Sequence, residues 1–535
     1  MNKNKTFILI LILLSVILFT FKLGAYSLWD TDEPLYTQMA REFNNHSDFL
    51  TLTWNGKPWF CHPPLYMWMT FISGNLLGWS EFSARMPSVI FSILIILLTY
   101  LIAKKFYNEK IAFISAIILM ISIQFFIQAR LANLDTTFTF FMIAAVYTGY
   151  IVIESVKRQA SSVKNISKQS RLYVFLFWLL CALGTLTKGP FALCLPFAII
   201  IIYLFFTKRL KELKVFFTIE GILAYALIGG FWYAYGLLKY KMEFYNLVFK
   251  YFTFERIISP VMDQSGPFYY YLLVLIPGIF PWTAFFIPAL IDTFKNLKNE
   301  KNIFLLIWIL FTFAFFTVVQ TKLPNYILFI YPACAILLAD YFYRNIYENN
   351  FKKKLFLPLL FTSIFYFCII TAFALLAKNK YPLEYIANKT LLLQLFYIIM
   401  ATLILSWSFL IFGNKKYILP VFIAGTFILY MFMINLMASF DKYKPIKPLA
   451  LKVREIKNPR DKVAVFIKKF SGASSFVFYL NENVAFIENP NDLESFLEKN
   501  KSACVLTKRN SEDSLPNKTL LKHVFDYDKY SVYKN

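Results

Sequence analysis

The sequence predicts a polytopic α-helical membrane protein of about thirteen spans, closed by a small α/β domain. Three observations carry this. The 535 residues are 58% hydrophobic and 20% aromatic with mean hydropathy +0.55, far above a soluble domain. Apolar runs of roughly 17–25 residues, long enough to cross a bilayer core, recur along the chain. Lys and Arg concentrate in alternate loops between those runs.

Residues 6–23 are apolar behind Lys3 and Lys5. A signal peptide has that shape. Many runs follow, however, and no small-x-small site precedes Trp29, so the segment reads as an uncleaved first span. Further runs cover about 87–103, 111–128, 137–153, 172–187, 190–206, 215–237, 268–291, 303–319, 325–343, 354–376, 391–412 and 417–438. A shorter run, 65–79, contains Gly74 and Gly78 and reads as interfacial or re-entrant. With the N-terminus in the cytoplasm, the inner loops are 104–110, 157–171, 208–214, 295–301, 344–354 and 415–416, each rich in Lys or Arg. The net charge of +24 therefore belongs to cytoplasmic loops and to anionic membrane lipids, and points to no nucleic acid.

The outer loops are then 24–86, 128–136, 188–190, 238–267, 320–325 and 377–390. They gather Asp32, Glu33, His62, Arg130, Asp135, Lys188, Glu255, Arg256 and Lys322 on one face. Charge near lipid is costly and recurs where it has work to do. The pair Glu255-Arg256 reads as a surface pair or loop clamp. Residues 1–439 form the membrane domain, with 24–86 its first outer loop, and 440–535 a soluble domain on the outer side. In the latter, 442–457 reads as linker and short helix. Strands are expected at 463–467, 475–480, 484–487, 504–507 and 530–533, with a helix at 491–498.

Within the first outer loop, Asp30, Asp32 and Glu33 lie within four positions of one another. Pro34 opens a helix, since Pro is tolerated in a first turn. Leu35, Tyr36, Met39, Ala40 and Phe43 make one apolar stripe, so the helix should lie on the bilayer with its stripe in lipid. Asp32 and Glu33 are then either helix caps or catalytic carboxylates held at a helix N-terminus. Six cysteines give no disulfide framework. Cys181, Cys194, Cys334 and Cys368 lie in apolar runs, and neither Cys61 nor Cys504 has metal or bridge spacing. The three histidines, His46, His62 and His523, are too few for a His-rich metal centre. No phosphate-binding Gly-rich loop is present. What remains is carboxylates that can accept a proton from an acceptor hydroxyl, and cations that can neutralise a phosphate leaving group, both at a lipid boundary. A lipid-phosphate-linked donor fits that setting.

The residues also carry a family resemblance. Asp32-Glu33-Pro34-Leu35-Tyr36 with Ala40-Arg41-Glu42, Asn55 to Leu65 with its Pro63-Pro64, Glu81 to Ser88, and Arg130 to Asp135 resemble successive elements of bacterial glycosyltransferases of the C-type (GT-C) fold. So do Leu186 to Pro190, Gly266 to Tyr270, Phe280-Pro281-Trp282 and Lys322 to Tyr326, in the same order. The chain most resembles the aminoarabinose lipid A transferase family, which is related to the protein O-mannosyltransferases. The resemblance implies transfer of a sugar, an aminoarabinose-like pentose or another, with inversion. The donor would be a polyprenyl phosphate, and the acceptor lipid A or a related envelope molecule on the periplasmic face of the bacterial inner membrane.

It further implies that Asp32 activates the acceptor with Asp135 as its partner. Lys188, Lys322 and Tyr326 match positions near the donor phosphate or its channel. Glu33, Tyr36, His62 and Arg130 fall in matching elements and are expected at the substrate. The family often holds a divalent metal through a Glu before the Pro-Pro and a His before the Pro-Phe-x-Tyr element; Cys61 and Gln264 stand there here, so no metal cofactor is expected. Leu35 and His62 replace two further cations of the family. A protein or other envelope-glycan acceptor, a lipid transporter and a non-catalytic relative are the competing readings. A transporter should show repeat symmetry and mid-span charges, and neither is visible.

Overall fold

The computed structural model describes residues 3–29, 31–45, 47–159, 167–261, 264–348, 352–380, 389–509, 515 and 521–535. Asp30, His46 and parts of the loops 157–171, 344–354 and 377–390 lie outside the described residues.

Among the described residues, seven helices are long and apolar enough to cross a membrane, and up to ten do so if three bent pairs each count as one. Three shorter apolar helices, Asn4–Thr20, Phe191–Phe206 and Lys354–Cys368, complete the series. Every one of the thirteen expected runs coincides with one of these elements. The bends have local causes. Glu109–Met120 and Ile123–Ala129 meet at 69° where Ser122 turns extended. Tyr270–Gly278 and Thr283–Lys295 meet at 108° around Pro277 and Pro281, which cannot donate a helical hydrogen bond. Several helices keep bare apolar faces: Ile411 is 66% exposed and Leu238 81%. In a multi-pass membrane protein such faces meet lipid, where backbone groups are already satisfied within each helix.

The chain divides into two compact units. The first comprises Met1–Leu23, Phe60–Tyr66 and Arg85–Leu436. Its core is aromatic and aliphatic, with Trp232, Trp282, Trp308 and Tyr271 almost wholly buried. The second comprises Gly24–Trp59, Met67–Ala84 and Met437–Asn535, so the C-terminal residues share their unit with most of the segment 24–86.

In the second unit, strands β1 (Thr53–Trp54) and β2 (Lys57–Pro58) form a hairpin. Its turn, Asn55-Gly56, has φ of 56° and 73°, the left-handed pair that Asn-Gly supplies at least cost. Five strands follow: β3 (Lys462–Phe466), β4 (Val484–Ile487), β5 (Ala503–Lys508), β6 (Lys522–Tyr527) and β7 (Tyr530–Lys534). They form one sheet in the order β4-β3-β5-β7-β6, parallel among β4, β3 and β5 and antiparallel at β7 and β6. Helices Ile446–Ile456 and Pro490–Lys499 stand where short helices are expected.

Three expectations are corrected here. The segment 475–480 is not a strand but lies in a helix, Ala473–Leu480, ended by Asn481 in the left-handed conformation. Ser475 to Leu480 are all buried. A run buried on every side lacks the alternation of a half-exposed strand, and a short buried helix reads the same way in sequence. Strand β6 went unpredicted because its residues are mostly exposed and polar. Finally, helix Asp32–Glu42 does not spread its stripe on lipid. Eight of its residues, Glu33 and Glu42 among them, are buried, and it packs on Ala473–Leu480. Arg41 ties the two helices, donating to Phe478 O at 2.9 Å and Asn481 Oδ1 at 2.8 Å.

Candidate active site

A cavity in the first unit is lined by His62, Asp135, Lys188, Arg256, Asn325 and Tyr326, with an apolar wall that includes Phe138, Phe191, Trp232 and Phe316. Asp135 is its organising residue. It opens helix Asp135–Gln159, and the side chain of Asn133 accepts its N–H at 3.1 Å, an Asx turn that sets the helix start. Asn133 is itself fixed, donating to Gln128 Oε1 at 2.6 Å. The Asp135 carboxylate is 5% exposed as a residue and carries two donors, Lys188 Nζ on Oδ1 and Asn325 Nδ2 on Oδ2.

Each partner arrives from a helix end. Lys188 is the C-cap of Lys168–Thr187, before Gly189 at φ 131° and Pro190, so its ammonium leaves the helix just where the chain turns. Asn325 and Tyr326 follow Pro324 at the start of the turn Pro324–Ile330. The Lys188 ammonium also lies 5.2 Å from the Tyr326 ring centroid, close enough for cation–π attraction. Arg256 donates to the Tyr326 hydroxyl at 3.3 Å. Its own carbonyl accepts Thr321 N–H at 3.2 Å, which fastens the 253–258 segment to the loop after residue 318. Burial pushes the His62 imidazole well below its ordinary pKa, and the Arg256 and Lys188 charges push the same way. His62 is therefore neutral and meets a ligand as a dipole rather than as a cation.

Thus the structure brings His62, Asp135, Lys188 and Tyr326 together at one cavity. Arg130 and Lys322 do something else. Arg130 is 3% exposed and donates to Leu18 O, Phe19 O and Phe21 O at 2.9–3.0 Å, capping the end of the first helix. Lys322 is 5% exposed and donates to Thr317 O and Val319 O at 2.8 Å, capping the helix Glu300–Val318. Both cations are committed to carbonyls that a helix C-terminus leaves unpaired. Asp32, Glu33 and Tyr36 belong to the second unit. Asp32 is exposed at the first position of its helix, while Glu33 is buried and accepts Trp29 N–H at 2.7 Å. Tyr36 is 7% exposed.

Two cavity residues escaped the sequence reading. Arg256 was expected as half of a surface pair or loop clamp, and it instead lines the cavity. Asn325 lay unassigned between Lys322 and Tyr326, and its only signal was that position. As for a metal, Cys61 lines the cavity and Gln264 does not, and an amide with a lone thiol is a poor donor set for a divalent ion. Among the described residues, no three His, Cys, Asp or Glu side chains gather as a metal group.

Comparison with known proteins agrees with this architecture. The dolichyl-phosphate-mannose-protein mannosyltransferase family matches residues 61–233, which contain most of the cavity. A protein of Aquifex aeolicus is 28% identical over 96% of this chain and 92% of its own length. The undecaprenyl phosphate-alpha-4-amino-4-deoxy-L-arabinose arabinosyl transferase of Pectobacterium atrosepticum is 28% identical over 62% of this chain. That alignment spans 58% of the relative, under two thirds of its length. The fold matches the crystal structure of ArnT from Cupriavidus metallidurans bound to undecaprenyl phosphate, with TM-score 0.83 and 19% identity over 98% of this chain and 97% of that one. An archaeal oligosaccharyltransferase from Archaeoglobus fulgidus matches more distantly, with TM-score 0.55 and 13% identity over 98% of this chain and 74% of that one. With these elements in this order, the chain has the C-type fold of membrane glycosyltransferases, and its sequence is similar to the aminoarabinose transferases and to the protein mannosyltransferase family.

Proposed function

We propose that this protein transfers a sugar, an aminoarabinose-like pentose, from a polyprenyl-phosphate donor to lipid A or a related envelope acceptor. The setting is the periplasmic face of the bacterial inner membrane, with the N-terminus in the cytoplasm and the residues from 440 onward in the periplasm. The observation that supports this best is the cavity itself. Lys188, Arg256, Tyr326 and neutral His62 offer hydrogen-bond donors inside a largely apolar wall. A phosphate there would be neutralised by fixed cations, while the prenyl chain would lie against apolar helix faces.

In this reading Asp32 takes the proton from the acceptor hydroxyl. The freed oxygen attacks the anomeric carbon, the bond from that carbon to the phosphate oxygen breaks, and polyprenyl phosphate leaves with the electron pair. Lys188 and Arg256 stabilise the charge that develops on the phosphate. Both Asp135 oxygens already carry protein donors, so its role is to position Lys188 and Asn325 rather than to accept a proton. No step uses a divalent metal, and transfer should persist in EDTA. The match of residues 61–233 to the mannosyltransferase family favours one second reading, a protein Ser or Thr acceptor.

The test is mass spectrometry of lipid A from cells carrying wild type or Asp32→Asn. The expected result is a sugar-sized mass increment with wild type only. No increment in either would remove lipid A as acceptor and direct the same comparison to envelope glycoproteins.

A further inference from the structure

Asn325 is a cavity side chain whose two ends have opposite fates. Its Nδ2 donates to Asp135 Oδ2. The identity of the two amide ends follows from that contact, because a carboxylate held by Lys188 accepts hydrogen bonds and repels a carbonyl oxygen. Oδ1 is therefore fixed as the other end. It is buried, and no protein donor reaches it among the described residues. Arg256, which also lines the cavity, has a buried donor, Nε, in the same condition. A buried polar atom left without a partner is destabilising unless a ligand completes it.

The two orphans ask for different chemistry. Arg256 Nε can be completed by a phosphate oxygen. Asn325 Oδ1 cannot, since a phosphodiester has no hydrogen to give. It needs an O–H or N–H, and on a polyprenyl-phosphate sugar only the sugar carries one.

We infer that Asn325 Oδ1 reads a hydroxyl or amino group of the transferred sugar, with Asp135 clamping the amide so that it presents oxygen. This rests on the transferase reading above and assigns the residue that separates sugar-loaded from sugar-free lipid. Lys188 and Arg256 bind the phosphate common to both; Asn325 contacts the part that differs.

The test measures binding of two lipids to the full-length protein in nanodiscs. One is undecaprenyl phosphate. The other is the same lipid carrying a sugar, drawn from 4-amino-4-deoxy-L-arabinose, arabinose and mannose. Wild type should prefer at least one sugar-loaded lipid over the bare one. Asn325→Ala and Asn325→Thr should lose about 10- to 100-fold for that lipid, the size of one buried hydrogen bond, and keep their affinity for undecaprenyl phosphate. Retained affinity for the bare lipid also certifies that the variants fold; Thr can still donate to Asp135 but places no acceptor where the amide oxygen stood. Sugar preference surviving in both variants overturns the inference and leaves the transferase reading intact. Equal loss for both lipids overturns it too, because Asn325 would then act only through Asp135 and Lys188. A wild type that binds neither lipid overturns the transferase reading and this inference together.

Discussion

Lys188 and Lys322 look alike in sequence. Each is a lone lysine at the end of a long apolar helix, two residues before a proline, in Lys188-Gly189-Pro190 and Lys322-Leu323-Pro324. The fold gives them opposite work. Lys322 folds back on the helix it follows and donates to the carbonyls of Thr317 and Val319. Lys188 reaches across to Asp135, which comes from another helix, and stays on a cavity wall. A lysine at a helix end takes the strongest acceptor within reach. Where only orphan carbonyls are near, it becomes a cap. Where a buried carboxylate is near, it is held in place with donors to spare, and a ligand can use them.

The largest expected effect separates these roles. Lys188→Met should lower transfer by about 100- to 1000-fold, the scale for losing one preorganised charge in a buried site. It should also destabilise the fold, because it strips Asp135 of its cation; breaking a buried pair costs about 3–5 kcal/mol. The double variant Lys188→Met with Asp135→Asn removes both charges. It should recover most of the thermal stability and none of the activity. Recovery of activity as well would mean that the pair is only structural, and the contrast between the two lysines would fall.

Smaller and opposite in kind are the effects at the caps. Arg130→Met removes donors from Leu18, Phe19 and Phe21, and Lys322→Met from Thr317 and Val319. Each should cost about 1–3 kcal/mol, with Arg130 the larger for its three bonds. Melting curves in detergent should shift by several degrees, while transfer per folded molecule stays within about threefold, as expected for groups outside the reacting charges. A hundredfold loss of transfer in folded Lys322→Met would return that lysine to the phosphate.

This is also where sequence reasoning stops. Apolar length marked the long apolar helices among the described residues, because a bilayer imposes it on the local chain. The ordered elements brought out Asp135, Lys188 and Tyr326, whose local turns deliver them to one cavity. The destination of a long side chain is a tertiary fact. Nothing in Arg130-Leu131 or Lys322-Leu323 says whether the cation meets carbonyls or a ligand. Arg256 read as a surface clamp because its loop carries Glu255 beside it, and only the fold turns its guanidinium toward Tyr326. Helix Asp32–Glu42 read as lying on lipid because its stripe has no visible partner in sequence. That partner, Ala473–Leu480, comes more than 400 residues later.

The smallest effect concerns a carboxylate that serves only its own fold. Asp461 is 3% exposed and precedes β3. Ser502 donates to its Oδ1 at 2.5 Å, while Asn458 N–H and Lys534 Nζ meet its Oδ2 at 2.8 and 2.9 Å. It thereby ties the approach to β3 to the start of β5 and the end of β7. Burial alone would raise its pKa; the Ser502, Lys534 and Asn458 donors outweigh burial and hold it at about 2. In the unfolded chain an Asp titrates near ~3.9. Because the folded pKa is the lower one, Asp461 contributes its full stabilisation above pH ~4, and the contribution fades as pH falls from there toward 2. Hydrogen exchange of β3 and β5 amides should therefore speed up across that window in wild type. Asp461→Asn should exchange faster at neutral pH and change less on acidification. An unchanged acid dependence in the variant would show that other carboxylates set it. Asp461, with every donor supplied by its own sheet, would then be a poor internal control for Asp135, whose clamped partner Asn325 still has an oxygen to offer.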